Sequence, residues 1–267
     1  MLFFFELFLA ICFAFFLAVL ASFFNVVIYR TNKEESFAKG RSYCEKCQRQ
    51  IAWYDNIPLI SFLILRGKCR YCHHRIKPIY FWTEVFAFIS GLLFALFFSQ
   101  SLSHFTISPF LLVVYFLIFF VLLFALIADL QYLIVPDFFV VLLSILVVVA
   151  QFLGQKDWFL SIMAVIFSSM FFISLYAISK KLLRKEALGM GDIKLMIPIA
   201  FFLSWPKILV SIFLAFIIGG FFAMLILIMG RKKFGQALPF APFLILASLI
   251  AYFFGGAIWN WYFGLLI

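Results

Sequence analysis

Two sets of side chains in this 267-residue chain have types and spacings that could do chemistry. One is a group of carboxylates set in apolar sequence, the other two pairs of cysteines. The cysteines read Cys44-x-x-Cys47 and Cys69-x-x-Cys72, with 21 residues between the pairs. Two-residue spacing lets both thiolates of one knuckle reach a single ion, and two knuckles complete a tetrahedral zinc site. Four protein thiolates leave no open coordination position, so such a zinc would hold a fold and would not activate water. His73 and His74 follow directly and are spare donors. Cys12, in an apolar run, reads as a small buried hydrophobe.

Ionisable groups inside apolar runs are costly and mark functional sites by default. Glu6, Glu84, Asp129, Asp137, Asp157 and Asp192 lie in or beside such runs. Glu6 and Asp157 fall near predicted outer ends and read as interfacial. Asp129 sits in Ala128-Asp129-Leu130. Asp192 closes Gly189-Met190-Gly191-Asp192, ahead of Ile193-Lys194, where two glycines allow close backbone approach and a positive φ before the acid. Asp137 follows Pro136 at a predicted helix start, where an acid complements the helix dipole, so a structural role stands beside a catalytic one. Asp129 and Asp192 are 63 residues apart on different predicted helices. Two carboxylates brought together in a low-dielectric site cannot both ionise, which leaves one as a general base and the other as a general acid. That is the chemistry of an aspartic peptidase. The Gly-x-Gly has no preceding strand, third glycine or Lys-Ser/Thr, so it does not read as a nucleotide loop.

The elements that position these groups are membrane helices. The chain is 67% hydrophobic and 12% charged, with a mean hydropathy of +1.18, against about 45–50% and about 25% for soluble domains. A cytosolic globular enzyme, a disordered chain and a disulfide scaffold are excluded. Runs long enough to span fall near 2–29, 80–99, 109–129, 135–153, 158–179, 193–204, 206–229 and 238–262, given about 20 apolar residues per crossing. The expected fold is thus an all-α polytopic membrane protein of about eight helices. Residues 1–29 form the first helix, 30–79 a zinc-binding loop domain, and 80–267 a seven-helix membrane domain. The sixth run is short and bounded by Pro198 and Pro206.

The first run carries Glu6, lacks a basic start, and is followed by basic residues, which reads as a retained signal anchor with the N-terminus outside. Eleven of the 21 Lys and Arg lie between Arg30 and Lys77. Threading eight spans puts 18 of the 21 into the cytoplasmic segments 30–78, 130–134, 180–192 and 230–237, the exceptions being Lys156, Lys194 and Lys207. The net charge of +10 therefore reads as topology-setting charge and not as a nucleic-acid surface. A cytoplasmic loop also disfavours disulfides for the cysteines.

At these residues the sequence resembles the type IV prepilin peptidases, bacterial membrane enzymes within the GxGD aspartyl protease group. The resemblance runs from about Ala21 to Phe243. Its blocks are Ser22 to Arg30, Arg41 to Cys47, Asn56-Ile57-Pro58-Leu59-Ile60-Ser61, and Leu65 to Cys72. Downstream come Tyr80 and Glu84, Asp129 with Val135-Pro136-Asp137, Gly189 to Lys194, and Leu238 to Phe243. The resemblance implies removal of the leader peptide of prepilins or pseudopilins after a glycine on the cytoplasmic side of the inner membrane. It further implies N-methylation of the new N-terminal residue with S-adenosylmethionine. Carried over by residue, Asp129 and Asp192 are the catalytic pair, and Cys44, Cys47, Cys69 and Cys72 match the zinc loop. Gly189, Gly191, Lys194, Glu84 and Asp137 are further site candidates without assigned roles, and Asn25, Asn56 and Ser61 are candidate helpers. The chain departs from the family in Cys44-Glu45-Lys46-Cys47, in Ala128, and in Ala241 where glycine is common. None of these removes a carboxylate or a thiolate. Competing readings are a peptidase without methyl transfer, a transporter using its carboxylates for ions, and a zinc-loop adaptor. The halves show no inverted symmetry that would favour transport.

Overall fold

A computed structural model describes residues 2–101, 108–155, 157–183, 189–230 and 239–264. Lys156, Leu238 and most of the loops 184–192 and 230–237 lie outside the described residues. Among those described the chain is helical, with nine α-helices, one 3₁₀ turn and only isolated β-bridges. It divides into two compact units, Met1–Thr106 and Ile107–Ile267.

The first unit is built on α1 (Leu2–Asn32) and α3 (Pro78–Ser101), which pack along one another. Ala10, Ala14, Leu17, Ala18, Ala21, Phe24, Val27 and Ile28 are the buried apolar positions of α1, a stripe at helical spacing in which half the side chains are alanine. Gly91 of α3 meets it: a Cβ there would lie 3.1 Å from the Ala14 Cα and 2.5 Å from a Leu17 methyl. Small residues at this seam let two membrane helices approach closely, which replaces the hydrophobic driving force lacking in lipid. Between these helices run the cysteine loop, the 3₁₀ turn Trp53–Asn56 and the short α2 (Ile60–Ile64). Cys12 is exposed on α1 and not buried, because the inward stripe runs through Ala10 and Ala14 on the other face.

The second unit contains α4 (Pro109–Tyr132), α5 (Asp137–Leu153), α6 (Trp158–Leu183), α7 (Met190–Leu203), α8 (Lys207–Ile228) and α9 (Ala241–Gly264). All eight expected runs are thus helical, but six helices are long and apolar enough to cross a membrane. The shortfall lies in α5, with 17 residues, and α7, with 14. At about 1.5 Å per residue α7 is about 21 Å long, short of the ~30 Å hydrocarbon layer. It sits instead among α5, α6, α8 and α9, with nine residues buried from Asp192 to Leu203. Pro198 lies inside α7 and does not bound it. An aromatic cluster locks α4, α7 and α9: Phe202 and Tyr252 stack with ring centroids 5.0 Å apart, and Tyr115 meets both edge-on.

Candidate active site and candidate metal centre

Asp129 lies in the last turn of α4, Asp192 in the first turn of α7, and Ala241 begins α9, so three helix ends meet at one end of the second unit. The carboxylates of Asp129 and Asp192 are close enough to interact electrostatically, and the backbone N–H of Ala241 faces both. Both side chains are buried, Asp129 at 5% and Asp192 at 7% exposure. Asp192 accepts a hydrogen bond from the Gly189 N–H at 3.2 Å, while its own N–H donates to the Gly189 carbonyl at 3.1 Å. This reciprocal pair fixes the carboxylate at the helix start, half in the manner of a capping box. Asp129 Oδ2 is buried with no hydrogen-bond partner among the described residues. A polar atom held in that state is costly unless something binds there.

The glycines of Gly189-Met190-Gly191 work by close approach alone. Gly189 has φ −72°, and neither it nor Gly191 takes a positive φ, so the expected left-handed turn is absent. A Cβ on Gly191 would stand 3.2 Å from the Cβ of Val135, and one on Gly189 would stand 3.1 Å from Asp192 Oδ2. The first contact ties the Val135-Pro136-Asp137 segment to the start of α7. The second leaves the Asp192 carboxylate room against the backbone.

Asp137 and Lys194 are each other's partners, with Lys194 Nζ 2.7 Å from Asp137 Oδ1. The Asp137 side chain is 71% exposed, which separates it from the two buried aspartates. It occupies the first position of α5 after Pro136, where an acid complements the dipole. Asp157 likewise accepts the Phe159 N–H at the head of α6.

In the first unit the four cysteines converge. Their sulfurs all lie within 4.8 Å of one another, and Cys44 Sγ and Cys72 Sγ are 3.8 Å apart. Around a tetrahedral zinc with Zn–S of about 2.3 Å, sulfurs stand about 3.8 Å apart, so the donor set fits that ion. The two knuckles repeat one another. Cys44 N–H donates to the Arg49 carbonyl and Cys69 N–H to that of His74, both at 2.9 Å. Ile51 N–H donates to Ser42 and Ile76 N–H to Gly67, both at 2.8 Å. Gln48 and His73 both take positive φ, 57° and 54°, so His73 serves as a turn residue and its neighbour's carbonyl closes the knuckle. Asp55 ties the insert to the second knuckle through two bonds from Arg70, at 2.6 and 2.7 Å. The Arg70 guanidinium holds the Asp55 carboxyl below the usual carboxylate range.

Glu84, 8% exposed on α3, accepts the backbone N–H of Leu59 at 2.8 Å. Leu59 has φ 64°, a conformation strained for a side chain of this size. Asn25 donates to Thr83 at 2.8 Å between α1 and α3, and Asn56 and Ser61 line the same cavity as Asn25 and Glu84. Sequence reasoning missed Arg30. It is 4% exposed and donates to the carbonyls of Ser36, Lys39 and Arg41 at 3.1, 2.6 and 2.9 Å. It also missed the Ala241 N–H, because a backbone donor has no residue-type signal.

Known proteins share both units. Residues 15–100 match "Bacterial Peptidase A24 N-terminal domain", and residues 115–224 match "Type IV leader peptidase family". The first stretch contains the four cysteines and Glu84, the second Asp129 and Asp192. A protein of Escherichia coli named "Type 4 prepilin-like proteins leader peptide-processing enzyme" is 30% identical over 257 residues, covering 86% of this chain and 88% of that one. The chain belongs to the type IV leader peptidase family. A Bacillus subtilis "Prepilin leader peptidase/N-methyltransferase" is 28% identical over 251 residues, 91% of this chain and 94% of its own. One of the same name from Vibrio cholerae is 44% identical over 79 residues, which span 27% of this chain and 31% of that one. No solved structure matches the chain.

Proposed function

We propose that this member of the family is a prepilin leader peptidase, an aspartic endopeptidase that removes the leader of type IV prepilins or pseudopilins at the cytoplasmic face of the bacterial inner membrane. The observation that carries the reading is the Asp129–Asp192 pair, two buried carboxylates held at one end of a helical bundle. In the proposed reaction one carboxylate, ionised, takes a proton from water as the water oxygen bonds to the scissile carbonyl carbon. The other, protonated, gives its proton to the amide nitrogen as the C–N bond breaks. The two act as a unit, so acid and base are properties of the pair. The Ala241 N–H supplies a fixed donor beside them. The unpartnered Asp129 Oδ2 supports a place for water or substrate. The eleven basic residues between Arg30 and Lys77, directly after the first span, support the cytoplasmic placement.

The relatives' names also carry an N-methyltransferase activity, and we assign it to this chain. S-adenosylmethionine, when bound, supplies a methyl carbon activated by a sulfonium. The four cysteines would hold one structural zinc, which keeps the loop between α1 and α3 folded. Incubation of the purified chain with a prepilin and S-adenosylmethionine tests both activities. The expected product lacks its leader and carries one added methyl. A product without the methyl favours a peptidase alone, and an uncut prepilin contradicts the whole reading.

A further inference from the structure

The first unit holds a cavity of about 240 Å³ whose lining carries charges of both signs, with Asp55 and Glu45 already paired to Arg70 and Lys77. On its buried side lie Asn25 and Glu84; on its exposed side lie Arg49 and Arg75. Glu84 accepts the Leu59 N–H and has the Ser22 hydroxyl within reach, but among the described residues no base forms an ion pair with it. Arg30, which also lines the cavity, commits its guanidinium to the carbonyls of residues 36–41. A buried carboxylate without a base is costly, and it is relieved by a proton or by an arriving cation. Beside it the rings of Phe62 and Phe81 stack at 4.6 Å and form an apolar wall, where an arriving charge is poorly screened by water. Arg49 and Arg75 have no acidic partner among the described residues, which leaves them to receive a ligand's carboxylate.

We infer that this cavity binds the methyl donor, with Glu84 as the counter-charge to its sulfonium and the exposed arginines toward its carboxylate. The inference rests on the methyl-transfer reading above. The cavity is smaller than ligand sites of about 300–1,000 Å³, so it takes the methyl-bearing sulfonium and leaves the carboxylate and the nucleoside toward the basic rim. Glu84 thereby does two things: it holds the strained backbone of Leu59 through one hydrogen bond and offers its charge to the donor.

The test measures equilibrium binding of S-adenosylmethionine and of S-adenosylhomocysteine, the thioether whose sulfur carries no charge, to the purified chain in detergent. Glu84→Gln keeps an acceptor for Leu59 and removes only the charge. It should weaken the sulfonium ligand roughly tenfold or more and change the thioether by less than about twofold. Val26→Phe fills the cavity from α1 and should abolish binding of both. Thermal unfolding of both variants in detergent reports that they fold. Equal losses for the two ligands in Glu84→Gln would overturn the counter-charge role, as would no loss. Unchanged binding in Val26→Phe would overturn the cavity, whether or not Glu84→Gln folds. A wild type that cleaves but binds neither ligand and transfers no methyl fails the methyl-transfer reading itself. A wild type that methylates while both variants bind normally fails this inference alone.

Discussion

Gly191 lies against Val135 so closely that a single added carbon would stand 3.2 Å from the valine Cβ. That contact joins the loop after α4, which carries Asp129, to the start of α7, which carries Asp192. Gly191→Ala should therefore push the two carboxylates apart by a few tenths of an ångström and lower prepilin cleavage by about 3- to 10-fold, since misplacement near 1 Å can cost about 100-fold. The double variant Gly191→Ala/Val135→Gly removes both the Cβ and the methyl that the new carbon would meet and should recover most of the rate. Steady-state cleavage assays on the single and double variants read this directly; a double variant no better than the single one would show that the contact does not set the dyad.

The Lys194–Asp137 pair is expected to matter little. Both side chains are substantially exposed, 47% and 71%, and exposed ion pairs contribute about 0–1 kcal/mol. Asp137→Asn and Lys194→Met should each keep cleavage within about threefold of wild type. A loss as deep as that of the Asp129 or Asp192 variants would put Asp137 into the chemistry.

Zinc should be present at one ion per chain and should be lost from Cys47→Ser. Metal-free protein should expose the loop between α1 and α3 to limited proteolysis, because four thiolates and two tight knuckles are what close it. Metal analysis together with mass mapping of the first cuts checks this. Metal-free protein whose loop resists protease as wild type does would refute a structural metal.

The Asp55–Arg70 contact gives a pH dependence of known sign. The folded Asp55 carboxyl is held below its usual range by Arg70, so its stabilisation is fully present above about pH 4, the unfolded value, and is lost as the pH falls through the folded value. The stability difference between wild type and Asp55→Asn should thus be constant at neutral pH and shrink below about pH 4. Thermal unfolding across an acid series measures it, and a difference that grows in acid would contradict the assignment.

Much of this protein is legible in its residues because lipid leaves few choices. Eight apolar runs become eight helices since a backbone in hydrocarbon must satisfy itself, and Cys-x-x-Cys spacing specifies a knuckle whatever surrounds it. Asp129 and Asp192 stand out for the same reason, as charges in costly places. The lengths of α5 and α7 were less visible: hydropathy reports that α7 is apolar, not that neighbouring helices, instead of lipid, cover it. Gly191 reads in sequence as a glycine for close approach and a positive φ; the fold keeps only the close approach, and its partner Val135 is remote in the chain. Arg30 looks like one more topology-setting charge at a span end; only the fold of residues 36–41 around its guanidinium distinguishes it. The Ala241 N–H has no signature at all.

The central claim is that Asp129 and Asp192 together cleave a prepilin. Leader removal by detergent-purified wild type, Asp129→Asn and Asp192→Asn tests it most directly, with thermal unfolding as a check on folding. Wild type should shorten the prepilin by its leader, and each folded variant should lose at least about a thousandfold, as expected for a unit in which either member is needed. Normal cleavage by either folded variant would contradict the account.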